Sequence, residues 1–558
     1  MPYFTTKQTY LFLSSDLPPE EKSLLDQYLE ILEDSSVGKI IESKIKKDTN
    51  VGRKSYNPYK LFATIIYAFS KHNGSIRKIE ESIKFDTRFI YLMEGYTPSY
   101  VSIDEFLNNV VVSSQKEIYS SIIKAIINRF KIDISDCFID GTKIEANSNK
   151  YLFVYKPTTA HMKLNKKILE LLNEYFNIPK YKTSFTSFEI ASYITDFNTN
   201  LKNKGITPTN IKRGRGYRVS KEIKDYRLLC DYLEKTLEYE EKERICGENR
   251  NSYYKSDIDA TAMCLKEDYY SGLGSNMHAA YNYQIIVSKG IILDYYVSQD
   301  RSDFKTFIPF LEEYYKNYGA YPKRLCADSG YGSKENYDYI FSKSIESYIK
   351  YPMWNKFING EYQEQYIINS SSEVYCLNNK KAIEVPFSQD RHQRYKGTKL
   401  YKIRDCMWCR KKNICLMNHK NKNIKERYFE IDINFYKAKL ITTNNLLSKK
   451  GIEMRVNRSS QVEGTFGIIK QDMGYTRARR RGLNKVSLEF MLTCLGLVLT
   501  KTLKLLQGKT SLKYWTAPED LKDEKPKIPT PKKILKKNKK GKNKTLRDSY
   551  KKKKEPLS

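Results

Sequence analysis

Glu463 and Lys470 stand seven residues apart in Arg458-Ser-Ser-Gln-Val-Glu463-Gly-Thr-Phe-Gly-Ile-Ile-Lys470. In an α-helix seven steps of about 100° return nearly to the starting direction, so the spacing predicts that both side chains project the same way, two turns apart. A metal-binding acid and a phosphate-binding base would then share one cleft. Upstream, two aspartates each close a short apolar run: Asp140 in Cys-Phe-Ile-Asp-Gly-Thr-Lys and Asp328 in Arg-Leu-Cys-Ala-Asp-Ser-Gly-Tyr-Gly. Three acids in the order Asp, Asp, Glu point to metal-ion phosphoryl chemistry on nucleic acid, because hard divalent cations take oxygen ligands.

Each acid also has a plainer reading. Ser460-Gln-Val-Glu463 is a capping-box pattern, in which Glu463 bonds back to the backbone of its own cap residue. Asp140 precedes glycine and Asp328 precedes Ser-Gly, so either could be a turn residue. On a continuous helix Arg458 would point about 140° away from Glu463.

The charge balance points to a polyanionic partner. The chain of 558 residues carries 98 Lys and Arg against 65 Asp and Glu, a net +33, far beyond what solubility needs. Residues 522–558 hold fifteen Lys and one Arg against four acids, or +12, and about +21 remains on the rest. That tail is almost devoid of apolar residues and is predicted to be disordered. It is open between non-specific phosphate contact and a solubilising end. The run Phe490–Leu499 falls short of the roughly 20 apolar residues of a membrane span. No leader is evident, and a cytoplasmic, nucleoid-associated protein with no membrane partner is expected.

The elements that must position these residues follow from periodicity. Pro58 opens a stripe of Leu61, Phe62, Ile65, Ile66 and Phe69, and after Asn73-Gly74 the residue Ser75 is placed to cap a helix carrying Ile76, Ile79 and Ile83. This predicts an all-α N-terminal unit over 1–130, suited either to docking on DNA or to packing. Alternation around Phe138 and Asp140 predicts a strand. Residues 161–254 read as a helical insertion, and 281–298 as a hairpin around Ser288-Lys-Gly290. A helix around Phe304–Tyr315, a strand ending at Asp328, a helix near Glu335–Phe341 and a strand near Tyr348–Lys350 follow.

Residues 351–439 form a second, poorly periodic insertion with four of the ten cysteines, Cys376, Cys406, Cys409 and Cys415. The Cys406-Met-Trp-Cys409 knuckle with two flanking cysteines suits a structural Zn²⁺ site, with His392 or His419 as substitute ligands. Arg477-Ala-Arg479-Arg480-Arg481-Gly, after Tyr475, combines cations and an aromatic as contact with DNA requires, or is a solvated charged surface. Tyr331 and Trp408 are candidates for base stacking or for the core.

Several segments together resemble one family. Tyr56-Asn-Pro-Tyr-Lys-Leu, Ser75-Ile-Arg-Lys-Ile-Glu-Glu, Phe138-Ile-Asp-Gly-Thr-Lys-Ile-Glu-Ala-Asn, Asp257-Ile-Asp-Ala-Thr-Ala-Met, Ala327-Asp-Ser-Gly-Tyr-Gly, Gln461-Val-Glu-Gly-Thr-Phe-Gly and Arg480-Arg-Arg-Gly occur in the order seen in bacterial insertion-sequence transposases of the DDE type. The chain is similar to those with an InsH-like N-terminal domain, in the subgroup eleven eighty-two related to the IS-four and IS-five types. Two departures stand out. Tyr96-Thr-Pro-Ser-Tyr-Val-Ser-Ile lacks the Asp-His-Ser/Thr that often follows such a proline, and Arg458 stands five residues before the glutamate where the best-known related signature has four.

The resemblance implies an α/β multidomain protein. Its ribonuclease-H-like core, a mixed sheet with helices, would be assembled from 131–160, 255–350 and 440–510, interrupted by insertions at 161–254 and 351–439 and followed by a basic tail at 520–558. It implies that Asp140, Asp328 and Glu463 hold two Mg²⁺ or Mn²⁺ ions, Asp140 bridging both. Lys470, Arg458, Arg477, Arg479, Arg480 and Arg481 would contact double-stranded DNA, both transposon ends and target. Holding two ends together implies a homodimer or higher assembly. The rival expectations are a nuclease that uses the same acids without strand joining, and a DNA-binding derivative that no longer cuts.

Overall fold

The strand that carries Asp140 lies at the middle of the main sheet. β1 (Asp136–Glu145) buries Cys137, Phe138 and Ile139 in succession, the unbroken apolar run of a strand covered on both faces. The computed structural model describes residues 17–45, 56–71, 74–206, 219–248, 250–265, 277–362, 364–388, 391–395, 397–416 and 424–526. Asn73, His419 and most of the basic tail, from 527 onward, lie outside the described residues.

Six strands form one mixed sheet. β2 (Thr261–Met263) and β4 (Ile291–Ser298) both pair with β3 (His278–Ser288), which runs antiparallel to β1. On the other side of β1, β5 (Arg324–Ala327) and then β6 (Glu346–Ile349) run parallel to it. The β3–β4 hairpin turns through Lys289 and Gly290, at φ 50° and 71°. Positive φ at both central residues is the signature of a type I′ turn, whose twist matches the flanking strands. Helices Asp303–Tyr318 and Lys334–Ser342 make the connections from β4 to β5 and from β5 to β6. Three strands, a helix, a strand, a helix, a strand and later helices are compatible with a ribonuclease-H-like core.

Helix Leu483–Leu506 is apolar almost all round, and such a helix must be enclosed. The expectation of no membrane-length segment needs correcting in its premise. At 24 residues, with a mean hydropathy of 1.5 over its most apolar 18-residue window, this helix is long and apolar enough to cross a bilayer, but 78% of that window is buried inside the protein. It packs between β4 and helix Pro58–Ser70.

The described N-terminal elements are all helical. Asn57 caps Pro58–Ser70 by accepting from the Tyr59 and Lys60 amides. Ser75 sits at the cap of Ile76–Phe85 without bonding it through its side chain. These helices share one hydrophobic core with the sheet. Tyr119 donates its hydroxyl to the Ile292 carbonyl at 2.8 Å, and Thr500 donates to Ser70 at 2.9 Å.

Both insertions have cores of their own. Helices Thr158–Asn173, Ser187–Asn203 and Lys221–Cys246 enclose Ile168, Ile190, Phe197 and Leu229. The second insertion, which reads as irregular, contains a two-stranded sheet (Tyr366–Ile368 with Val374–Cys376) and a three-stranded one (Ile383–Val385, Lys399–Ile403, Arg427–Ile431). Strands of three to five residues carry too few alternations to register as periodicity.

Candidate active site

Asp140 belongs to the interior of β1, paired opposite Ile285, so its turn reading falls. Its Oδ1 accepts from the Gly141 amide at 2.9 Å. Glycine leaves room next to it: a Cβ on Gly141 would stand 2.1 Å from Gln284 Nε2 and would displace that side chain. That amide donates to Asp303 Oδ1 at 3.0 Å, and Asn282 donates to the same oxygen at 2.8 Å. Tyr331, fully buried, donates its hydroxyl to Gln284 Oε1, which assigns this tyrosine to the core.

Asp328 directly follows β5 and caps the short turn Ser329–Tyr331, accepting from the Gly330 amide at 2.6 Å. Here the turn reading and proximity to Asp140 hold together. Because Phe138 pairs in parallel with Cys326, the register carried on by two residues sets Asp140, midway along β1, beside Asp328, just past the carboxyl end of β5. Ligands of open α/β sheets bind outside that edge. Asp303, in the first turn of its helix, joins them: both Asp328 Oδ1 and Asp303 Oδ2 lie near the position a Cβ on Gly330 would take, at 2.8 and 3.6 Å. The sequence marks Asp303 as nothing more than an ordinary first-turn acid, and its role here comes from the amides of β3.

Glu463 closes a π-helical turn, Ser459–Glu463, within an otherwise α-helical segment. Its Oε1 accepts from Arg458 Nη2 at 3.0 Å and its Oε2 from Ser459 Oγ at 2.9 Å. The capping box is therefore absent. The expected 140° separation of Arg458 and Glu463 is also overturned, because the wide turn places residues five apart on one face. Arg458 Nη1 reaches Asp140 Oδ2 at 3.2 Å, so one guanidinium joins the first and third acids. A second π-turn, Ile468–Asp472, contains Lys470, and the uniform 100° step that aligned it with Glu463 does not apply across the segment.

The acids repel one another. Burial pushes the Asp140 carboxyl up to about 6; Arg458 opposes this, while Asp328 and Asp303 add to it. The donor set, carboxylate oxygens with surplus negative charge, fits a hard divalent cation. Among the described residues no three potential ligands already surround a common point, and Arg458 supplies the counter-charge.

The basic loop is held from beneath by acids. Glu489, buried in helix Leu483–Leu506, accepts from the Arg479 amide at 3.0 Å and from the Arg480 amide at 3.1 Å. Asp257 and Asp259 accept from Gly482 and Leu483 at 3.2 and 2.8 Å, the favourable place for anions at a helix N-terminus. Arg480 is turned inward onto Asp104 and Asn108, at 2.7 and 2.9 Å, and Arg481 donates to the Asn147 carbonyl at 2.8 Å. Arg477 is half-exposed beside Glu145.

Cys376, Cys406, Cys409 and Cys415 line one cavity of about 20 Å³, room for one water, without three of them closing on a common metal position. All four are free thiols. Burial, followed by its thiol neighbours, raises Cys406, and burial raises Cys415 against the pull of Arg427. His392 is exposed and does not line the cavity. Trp408, between the knuckle cysteines, is 91% exposed, so its core reading falls.

No curated protein matches the chain. Residues 375–503, less than a quarter of it, match the family model described as a transposase DDE domain. That stretch carries the four clustered cysteines, Arg458, Glu463, Lys470 and the basic loop, with Asp140 and Asp328 upstream of it. Over this region the chain is similar to the DDE domain of transposases.

Proposed function

We propose that the protein is a DDE transposase that binds the terminal inverted repeats of its own insertion sequence, cleaves the DNA ends and joins the 3′-hydroxyls to target DNA. The observation that carries this reading is the convergence of Asp140, Asp328 and, through Arg458, Glu463 at one edge of a mixed sheet, with the transposase DDE match covering the glutamate. Two divalent ions, when bound, supply Lewis acidity to the attacking and leaving oxygens of an in-line displacement.

The remaining work falls to the chain. Asp140, Asp328 and Glu463 present hard oxygen donors, with Asp303 behind them. Water and then a 3′-hydroxyl act as successive nucleophiles. Lys470, Arg477, Arg479 and Arg481 hold phosphates of the duplex, while Arg480 is committed to Asp104 and Asn108, and the helical N-terminal region reads the ends. Two ends held together need at least a dimer. The proposal extends to a ribonuclease-H-like catalytic core in three segments, with the knuckle insertion binding one structural zinc.

The test is Mg²⁺-dependent processing and joining of labelled DNA carrying the element's terminal repeats. Wild type is expected to nick at the terminus and join to target, while Asp140→Asn, Asp328→Asn and Glu463→Gln bind the ends and do neither. End binding by wild type without cutting in Mg²⁺ or Mn²⁺ would leave a DNA-binding derivative, and cutting without joining a nuclease.

A further inference from the structure

Lys350 is the next residue along the edge that carries Asp140 and Asp328. Ala327 pairs in parallel with Ile349, so one further step sets Asp328 beside Lys350. Asp140, inside β1, and Asp328 and Lys350, each just past the end of its strand, thus occupy neighbouring positions across three adjacent strands, and side chains in such a row share a face of the sheet. The backbone of Lys350 is held in place: a Cβ on Gly332 would lie 2.4 Å from the Lys350 carbonyl oxygen and 2.9 Å from Tyr351 Cα, so the loop after Asp328 packs directly on it.

The surroundings of this ammonium are cationic. Burial, then the guanidiniums of Arg458 and Arg455, push its pKa down, with Asp328 a weaker opposing influence. Of the nearby carboxylates, Asp140 and Glu463 are engaged by Arg458 and Glu524 by Arg455, while Asp328 accepts from the Gly330 amide. A half-buried lysine between these arginines and Asp328, at the rim of the acidic centre, is placed to take a phosphate oxygen. An ammonium serves this purpose well because it attracts without imposing bidentate geometry.

We propose that Lys350 is a phosphate-binding residue of the reaction centre, gripping a non-bridging oxygen of the DNA phosphodiester that reacts beside Asp140 and Asp328. The proposal rests on the transposase reading above. It adds a contact from the sheet to those of the helical segment that carries Glu463 and Lys470.

The experiment compares wild type, Lys350→Met and Lys350→Arg, full length, on a duplex carrying the terminal repeat. It measures single-turnover nicking in Mg²⁺ and end binding in Ca²⁺ over a range of salt. Lys350→Met is expected to slow nicking about 100-fold, as loss of one charge-stabilising donor does, and to lower the salt-dependence slope of binding by about one. Lys350→Arg is expected to recover most of both, and thermal midpoints of the three are expected to agree, which separates a contact from a folding defect. Nicking and slope unchanged in Lys350→Met, with wild type active, would overturn this proposal alone. An inactive wild type that fails to bind the ends would overturn it together with the transposase reading.

Discussion

Arg458 Nη2 lies 3.0 Å from Glu463 Oε1, although the two residues are five apart in a helical segment. An α-helix aligns residues three or four apart, and five steps of 100° leave a wide divergence. The π-turn Ser459–Glu463 removes that divergence by closing a ring one residue larger. The same turn accounts for the spacing of five where the resembled signature has four. One extra residue is absorbed as a bulge, and the arginine still meets the glutamate. Such bulges cost backbone regularity and concentrate at functional sites.

Because Arg458 is the cation between Asp140 and Glu463, Arg458→Ala is expected to destabilise the metal-free protein by about 1–3 kcal/mol, the cost of leaving the buried Asp140 carboxyl without its partner. Added Mg²⁺ should restore much of the loss, since it replaces the missing charge. Thermal unfolding with and without Mg²⁺ checks this, and an equal loss in both conditions would show that the guanidinium acts by packing.

Gly141→Ala is expected to cost about 1–3 kcal/mol, as overpacking at a close approach does. The added methyl displaces the Gln284 amide that holds Asp303, so nicking should fall further than stability alone explains. The double variant Gly141→Ala/Gln284→Ser should relieve the clash while leaving Asp303 only the Asn282 amide. Recovery of full nicking in that variant would show that the Asp303 contact is dispensable.

Burial raises the Glu489 carboxyl above its usual value of 4.5, against the backbone bonds from Arg480 and Arg479. A folded-state value above the unfolded one means that the fold retains this proton more tightly, so its contribution to stability is greatest below the ordinary carboxyl value. The contribution declines as pH rises toward the raised value. Glu489→Gln should therefore flatten the pH dependence of the thermal midpoint above pH 4.5 and be at least as stable as wild type at neutral pH. Glu489→Ala, which leaves the loop amides without an acceptor, should lose about 1–3 kcal/mol.

The four clustered thiols predict about one zinc per chain, lost in Cys406→Ser/Cys409→Ser. Thiol pKa values raised by burial and mutual proximity make protons strong competitors, so zinc should be retained at pH 8 and released as the pH falls. Metal analysis after dialysis at the two pH values decides this, and metal-free wild type at pH 8 would remove the site.

Legibility tracked how local each signal was. Helix Pro58–Ser70 was readable from one stripe and one proline, and the β3–β4 hairpin from two apolar runs around Lys289-Gly290. Asp140 and Asp328 were readable as acids closing apolar runs. Asp303 and Lys350 were not, because nothing within a few residues distinguishes them from a helix-start acid and a strand-end lysine. The π-turn was invisible for the same reason: Ser-Ser-Gln-Val-Glu is compatible with plain helix, and the bulge shows itself where Arg458 must reach Asp140.

By itself the sequence determined the net charge of +33, which favours a polyanionic partner, and the order of acids that suits phosphoryl chemistry. It also determined most helices and strands, because their periods of 3.6 and 2 are written into neighbouring residues. Tertiary structure decided which acids meet, which arginines point inward, and that the N-terminal helices share the core of the sheet. Those outcomes depend on pairs such as Arg458 with Asp140, or Thr500 with Ser70, whose members lie 318 and 430 residues apart. Contacts across such separations are selected by packing and charge balance in the folded chain, which no local pattern records.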